Sequence, residues 1–180
     1  MTLVNIISQA LIEVGRTTDA QQMAAWKDKF TVFVNDGIRD LAEYLHLRMT
    51  DTVSAADGKI DIGDLSHSCV KVVAVRQNGS DVTFQTSGSS NAIEVTGNGE
   101  YEVEYRYIPK EVQNNSDQPA IPEHLHHLLV TYVVYREHMT ASPTMQRRSD
   151  AFFQTYERGK RKARQYLGES DSYAITNVGW

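Results

Sequence analysis

The chain has 180 residues, a formal net charge of −5, one cysteine and a hydrophobic fraction of 41%. This length suits one structural domain with a sizeable core, and the single Cys69 excludes an intrachain disulfide framework. No apolar run approaches the roughly 20 residues that span a bilayer, and the N-terminal segment lacks the basic start and the cleavage site of a secretory signal, so we expect a soluble cytoplasmic product with no membrane partner.

Charge is sorted along the chain. Residues 1–146 hold 11 Lys and Arg against 19 Asp and Glu, whereas residues 147–180 hold 7 against 4. A general duplex-binding domain would carry a broad basic face instead. The distribution therefore indicates an acidic body with one short basic segment.

Residues 1–48 predict a pair of helices. Apolar residues recur at intervals of three and four, and Gly15 is suited to end the first helix in a left-handed conformation. Asp19 and its neighbours supply an N-cap for a second, longer helix. Within it, Gly37 indicates either close packing by a neighbouring backbone, which we favour, or a tolerated weak point. The apolar stripes of the two helices are formed by Leu3, Ile6, Ile7, Ala10, Leu11, Val14, Met23, Trp26, Phe30, Phe33, Val34, Ile38, Leu41 and Leu45.

Residues 49–107 predict a β-rich insertion, because the apolar period changes there to two. The turn pairs Asp57-Gly58, Asn78-Gly79 and Asn98-Gly99 predict hairpins, with about six short strands in an antiparallel sheet or small barrel. In the last run, EYEVEYRY, tyrosines and Val103 alternate with charged residues, so we expect a strand with one buried face and one solvent-exposed face. Gly88-Ser89-Ser90 is typical of a mobile tip.

Two prolines bound the passage from the last strand to the next helix. Ile108-Pro109 ends the strand because proline cannot donate to a ladder, and Pro122 begins a third helix because proline suits the first turn. Ser142-Pro143 begins a fourth helix, which we expect to reach about Leu167.

These elements predict an α+β fold. Residues 121–167 form a second helical pair that completes, with residues 1–48, a four-helix bundle-like core. The antiparallel sheet or small barrel of residues 49–107 is inserted between the two pairs. Residues 168–180 have neither a helical period nor a core-sized apolar set, and we expect an extended C-terminal tail there.

Candidate chemistry is sparse. Glu123 and His127 are spaced to share a metal beside His124 and His126, but the spacing is not HExxH, and helix-start residues facing solvent or a subunit contact are the alternative. His67 and Cys69 share one face of a strand without a local acid to orient them. The chain has no phosphate-binding loop, dinucleotide motif or CxxC pair. We therefore expect that the protein is not an enzyme and that it has no cofactor and no metal site.

The second half of the predicted fourth helix is basic. Cations near a helix C-terminus complement the macrodipole, and their long stems cover apolar surface, which accounts for some of these residues. Their density indicates a further role, either binding an acidic protein or binding nucleic-acid phosphates. No base-reading signature accompanies the run. Its cations are Arg158, Lys160, Arg161, Lys162 and Arg164.

The tail contains apolar and aromatic residues that a purely solvated segment rarely carries. Fully extended, it is long enough to dock on a partner or to add a strand to a foreign sheet. The alternative is that Trp180 folds back on its own domain or that the tail is loose, as termini usually are. The residues concerned are Tyr173, Ile175, Val178 and Trp180.

The order of these parts resembles the head-to-tail connector, or adaptor, proteins of tailed bacteriophages. The resemblance covers nearly the whole chain and rests on two N-terminal helices, a β-rich insertion closing in YRYIP, a helix opening IPEHLHHLLVTYVVYR, a long basic helix and an extended tail. It implies a ring, usually of twelve copies, that binds beneath the portal ring after DNA packaging and extends the channel to the tail. Such a protein is made in the host bacterial cytoplasm and ends in the neck of the virion.

Carried onto this chain, the resemblance implies that the fourth helix and the tail face the portal protein, while residues 49–107 face tail or neck proteins or neighbouring subunits. The basic residues 158–164 would then contact an acidic portal surface or line a DNA passage. Passing genomic DNA would meet an acidic channel wall without sequence-specific binding. The implied portal-binding residues are Arg158, Lys160, Arg161, Lys162, Arg164, Tyr173, Ile175, Val178 and Trp180.

Three alternatives remain open. A tail-completion or neck protein acting lower in the tail would have the same structural character but would contact tail-tube proteins. A small nucleic-acid-binding regulator would use residues 158–164 and bind DNA with a steep salt dependence. An enzyme working at the histidine cluster is the third alternative.

Overall fold

A computed structural model describes residues 1–86, 91–140 and 143–171, with side chains for all of these but 143–144 and 167–171. The protein is an α+β chain with four α-helices and two antiparallel sheets among the described residues. The chain divides into two compact units. The helical unit contains Met1–Leu45 and the chain from Glu111 onward, and the β unit contains His46–Lys110.

The N-terminal helices follow the apolar stripes of the sequence. Helix α1 spans Leu3–Glu13 and helix α2 spans Ala20–Leu45, and both bury most of the predicted apolar stripes. Of the predicted residues, Val14, Met23 and Trp26 are only half-buried. Gly15 has φ +75°, so the left-handed exit from α1 is confirmed. The N-cap of α2 is also confirmed, since an Asp19 carboxylate oxygen accepts the Gln22 backbone N–H at 2.9 Å.

The fourth helix begins at the predicted Pro143, whereas Pro122 precedes a short 3-10 turn and the third helix begins four residues later. A 3-10 turn at Glu123–Leu125 leads into α3, His126–Thr140, and α4 spans Pro143–Asp171. The predicted end of the fourth helix at Leu167 is four residues too early. A lack of apolar period does not stop a helix, and one interior glycine, Gly168, costs only about 1 kcal/mol.

Helix α3 is central to the helical unit, since it packs against α1, α2 and α4. A Cβ atom added at Gly37 on α2 would lie 3.0 Å from Tyr132 Cδ1 and 3.2 Å from Leu129 Cδ2. The close packing predicted at Gly37 is therefore confirmed, but side chains of α3 supply it rather than a neighbouring backbone.

The β unit contains seven strands among its described residues. A four-stranded sheet has the order β1-β7-β3-β4 and a three-stranded sheet has the order β2-β6-β5. All pairings are antiparallel. The strands are β1 Arg48–Ala55, β2 Lys59–Asp61, β3 Ser68–Gln77, β4 Ser80–Asp81, β5 Gln85–Thr86, β6 Ala92–Glu94 and β7 Gly99–Ile108.

Two of the three predicted hairpin turns are confirmed. Asp57-Gly58 and Asn78-Gly79 have positive φ at both central residues, as two-residue hairpin turns require. Asn78-Gly79 joins the paired strands β3 and β4, and Asp57-Gly58 lies between Ala56 and Lys59, whose backbones exchange two hydrogen bonds. The hairpin predicted at Asn98-Gly99 is wrong, because β6 pairs with β2 and β5, whereas β7 pairs with β1 and β3. The segment between β6 and β7 therefore joins two sheets instead of two paired strands.

Strand β7 forms the centre of the β core. Tyr101, Val103 and Tyr105 are buried, whereas Glu100 and Glu102 on the opposite face are exposed, so the predicted alternation is confirmed. The strand ends at Ile108, immediately before Pro109, as predicted. The buried cluster around it consists of Val53, Ala55, Ile60, Leu65, Val72, Val75, Ile93, Tyr101, Val103 and Tyr105.

Candidate functional site

Helix α4 divides its basic residues between two faces. A helix turns about 100° per residue, so residues seven, four and three positions apart share a face. The buried face contains Ser149, Tyr156, Lys160 and Ala163. The predicted basic segment is therefore two different sets of residues, one packed inside the helical unit and one facing solvent.

Lys160 belongs to the buried set and is only 6% exposed. Its Nζ donates to Asp40 Oδ2 at 2.9 Å and forms an ion pair with Glu157 at 2.7 Å. Burial acts to lower the pKa of Lys160, but the hydrogen bonds to Glu157 and Asp40 outweigh it and raise that pKa above its usual value. The lysine stays charged, and its charge is satisfied within the chain, so Lys160 does not belong to the exposed basic surface.

Tyr156 completes this buried network. Its hydroxyl donates to Asp40 Oδ2 at 2.5 Å, and its ring lies 5.0 Å from that of Tyr132 on α3. Burial, reinforced by the hydrogen bond to Asp40, strongly raises the pKa of Tyr156, so the phenol stays neutral. Asp40 thus accepts one neutral and one cationic donor from α4, which fixes α4 against α2.

Arg158, Arg161 and Lys162 form the exposed set, which we call the basic face. Within the described part of the chain, none of the three forms an ion pair with a carboxylate. Arg161 Nε donates to the Glu157 backbone oxygen at 3.3 Å, within its own helix. The exposed Arg164 lies beside this face with its guanidinium 5.2 Å from the ring of Tyr44. The basic face is therefore available to an anionic partner.

The tail residues of the predicted portal-binding set, Tyr173, Ile175, Val178 and Trp180, lie outside the described residues. Residues 168–171, which the sequence assigned to the tail, belong to α4.

The histidine cluster does not converge on a common point. His124 and His127 are exposed, whereas His126 is buried, with Nδ1 2.8 Å from the N-terminal amine and Nε2 3.1 Å from the Ile121 carbonyl oxygen. Among the described residues, no group of three His, Cys, Asp or Glu side chains is arranged to hold a metal ion.

A polar network in the β unit was missed at the sequence level. Asp51 Oδ2 accepts the Tyr105 hydroxyl at 2.6 Å, the Ser66 hydroxyl at 2.7 Å and the Ser66 backbone N–H at 2.8 Å. His67 Nδ1 lies 3.4 Å from Ser66 Oγ, and burial raises the pKa of the nearby Cys69 thiol. Asp51 on β1 thus binds both Ser66, before β3, and Tyr105 on β7, so the network holds the segment before β3 against these two strands.

The signal for this network was the phenol of Tyr105, a polar group on a face that the alternation predicts to be buried. Such a group requires a hydrogen-bonding partner. The partner could not be identified from the sequence, because Asp51 and Ser66 are brought together only by the pairing of β1 with β7 and the packing of the segment before β3.

No protein-family model matches the chain, and no curated protein matches it. Over the residues that the structure describes, every helix is too short or too polar to cross a membrane.

Proposed function

We propose that the protein is a structural adaptor of a tailed bacteriophage, which forms a ring under the portal and joins the DNA-filled head to the tail. The observation that carries the proposal is the basic face: Arg158, Arg161 and Lys162 are exposed on one helix and unpaired among the described residues, while the intervening Lys160 is committed to the interior. A helix that presents cations in this way on an acidic chain suits an acidic protein surface.

The order of the elements also supports this proposal. Helices α1 and α2 precede the β unit, α3 and α4 follow it, and all four belong to one compact unit. This is the arrangement on which the resemblance to adaptor proteins rests. We propose that the four helices act as a bundle-like core of each subunit, and that α4 presents the basic face to the portal.

The remaining roles extend the same proposal. The segment 172–180, with Tyr173, Ile175, Val178 and Trp180, adds an apolar contact to the portal. The ring has twelve copies and contacts tail or neck proteins on its other side, within the neck of the virion. Genomic DNA passes through it without sequence-specific binding. The protein acts by assembly rather than by catalysis, with no cofactor.

The experiment that tests this function compares two double variants of α4. Arg158→Gln with Lys162→Gln removes two cations from the basic face, and we expect at least a tenfold loss of affinity for the portal ring of the same phage, about 1.4 kcal/mol. Arg147→Gln with Arg148→Gln removes the same charge from exposed residues near the start of the helix and serves as the matched control. Equal affinity of both variants and the original chain for the portal would contradict the role assigned to the basic face.

Nucleic-acid binding is the second candidate, and the same exposed cations favour it. It predicts that duplex DNA binds the unmodified chain, with an affinity that falls steeply with salt and is lost in the Arg158→Gln, Lys162→Gln variant. A binding titration against duplex DNA at two salt concentrations separates the two functions, because the adaptor proposal predicts portal binding under conditions where DNA does not bind. A neck protein acting lower in the tail would bind tail proteins and leave the portal unbound.

A further inference from the structure

Helix α3 carries a buried histidine near each end. His126, its first residue, is 3% exposed, and His138, two residues before its end, is 4% exposed. Of the six histidines in the chain, these two are buried. Because α3 packs against the other three helices, the protonation of its two ends bears on the whole helical unit.

The surroundings of His126 require an unprotonated nitrogen. Its Nε2 lies 3.1 Å from the Ile121 carbonyl oxygen and therefore carries the hydrogen, which leaves Nδ1 to accept from the N-terminal amine at 2.8 Å. A second ring proton, on Nδ1, would face the amine as donor against donor. The carbonyl groups of Ile121 and Pro119 and the carboxylate of Glu123 favour the charged ring, but burial and the amine outweigh them. Glu123 lies 3.6 Å from that amine and its side chain is largely exposed, so it compensates weakly.

His138 lies in a largely apolar site that has one cationic and one anionic neighbour. Among the described residues its buried Nδ1 has no hydrogen-bond partner, and its ring lies edge to face with that of Phe152 on α4, at a centroid distance of 5.3 Å. Two charged groups act on it. Arg148 of α4 disfavours the imidazolium, and Glu137 favours it, but Glu137 Oε2 is already held by Lys29 Nζ of α2 at 2.5 Å.

We propose that α3 is an acid-sensitive element, and that the helical unit loosens when His126 and His138 take up protons at its two ends. Each proton would place a charge in a nearly water-free site that offers no free carboxylate among the described residues. The cost of burying such a charge favours any state in which the imidazole reaches water. This inference does not depend on the proposed adaptor function.

The direction of the pH dependence follows from linkage. Burial lowers the pKa of both histidines below the usual value of about 6.5, so the unfolded chain binds more protons than the folded chain as the pH falls below that value. Stability is therefore complete at neutral pH and declines toward pH 5. For each pH unit by which the pH is lowered in this window, protonation of one histidine raises the unfolding equilibrium constant by up to about tenfold, and protonation of both raises it by up to about a hundredfold.

The test is reversible urea unfolding of the full chain at a series of pH values from 7.5 to 5.0. The carboxyls with shifted pKa values, Asp19, Asp51 and Asp117, are shifted downward and titrate below this window. We expect a steep decline for the original chain and a shallower one for His138→Met, which fills the site without a titrating group. His124→Gln, a change of an exposed histidine, is the control and should retain the original slope.

A second measurement keeps the inference testable if His138→Met does not fold. In the original chain, imidazole proton resonances followed by NMR should show two histidines whose pKa lies below the usual value of about 6.5, and their transitions should coincide with loss of helical chemical-shift dispersion. A flat stability curve between pH 7.5 and 5.0, or a slope that persists in His138→Met combined with His126→Gln, would overturn the proposal. So would the absence of any imidazole with a pKa below the usual value of about 6.5.

Discussion

Replacing Lys160 with methionine tests whether the basic segment of α4 really consists of two sets of residues. Methionine keeps the straight aliphatic stem but removes the ammonium group that bridges Asp40 and Glu157. Asp40 retains the Tyr156 hydroxyl, and its own side chain is 41% exposed, so it recovers part of the lost interaction from water. The loss should therefore be smaller than for a fully enclosed ion pair.

The magnitude follows from these contacts. Breaking a fully buried pair by removing one partner costs about 3–5 kcal/mol, whereas an exposed pair contributes about 0–1 kcal/mol. Lys160 is nearly enclosed but its two acceptors are not, so we expect a loss of about 2 kcal/mol in the free energy of unfolding. For a chain of this size that corresponds to a fall of roughly 4–8 °C in the melting temperature.

The assay is urea unfolding at pH 7.5, followed by helical circular dichroism, with Arg158→Met as the matched control. Arg158 is exposed, and its replacement should change the free energy of unfolding by no more than about 0.5 kcal/mol. Portal binding should show the reverse ranking, with Arg158→Met impaired more than Lys160→Met. Equal unfolding midpoints for Lys160→Met and the original chain would refute the account of Lys160 as an internal ion-pair residue.

Three further outcomes follow from the described contacts. Gly37→Ala should destabilise the chain by about 1 kcal/mol in urea unfolding, since the added methyl group meets a Tyr132 ring that is held by Arg136 and by neighbouring rings and cannot easily move. Tyr105→Phe should destabilise it by about 1–2 kcal/mol at pH 7, because Asp51 loses a 2.6 Å hydrogen bond. Burial acts to raise the pKa of Asp51, but the hydrogen bonds from Tyr105 and Ser66 outweigh burial and lower that pKa. The stability that these hydrogen bonds contribute is therefore complete above about pH 4. Below that pH, the difference in stability between Tyr105→Phe and the original chain should shrink. Deleting residues 172–180 should weaken portal binding but leave the helical circular dichroism and the melting temperature unchanged. Unfolding of the truncated chain would contradict the proposal that this segment contacts a partner.

The helices could be predicted because their signals are local. The apolar stripe from Leu3 to Leu11, the left-handed Gly15 and the prolines at 122 and 143 are each interpretable within a few residues. The alternation on β7 is equally local, since successive residues point to opposite faces.

The partition of the strands into two sheets was not predictable by the same reasoning. Asn98-Gly99 has the composition of a hairpin turn, but the partners of β6 and β7 are decided by burial of distant residues such as Ile60 and Val75. A turn motif favours a local hairpin, but it does not decide whether the strands on its two sides pair with each other or with more distant strands.

The division of the basic segment shows the same limit in the candidate site. Arg158, Lys160 and Arg161 have nearly the same sequence environment, and only the packing of α4 against Asp40 of α2 separates the buried lysine from the exposed arginines. The contacts of Asp40 with Tyr156 and Lys160 span more than 100 residues of sequence, which no local pattern encodes.

The measurement that tests the adaptor proposal most directly is native mass spectrometry of this chain mixed with the portal ring encoded in the same genome. The proposal predicts a mass gain equal to a whole ring of subunits, twelve copies, and a loss of that gain in the Arg158→Gln, Lys162→Gln variant. An unchanged portal mass at micromolar concentrations of a folded chain would contradict the proposal.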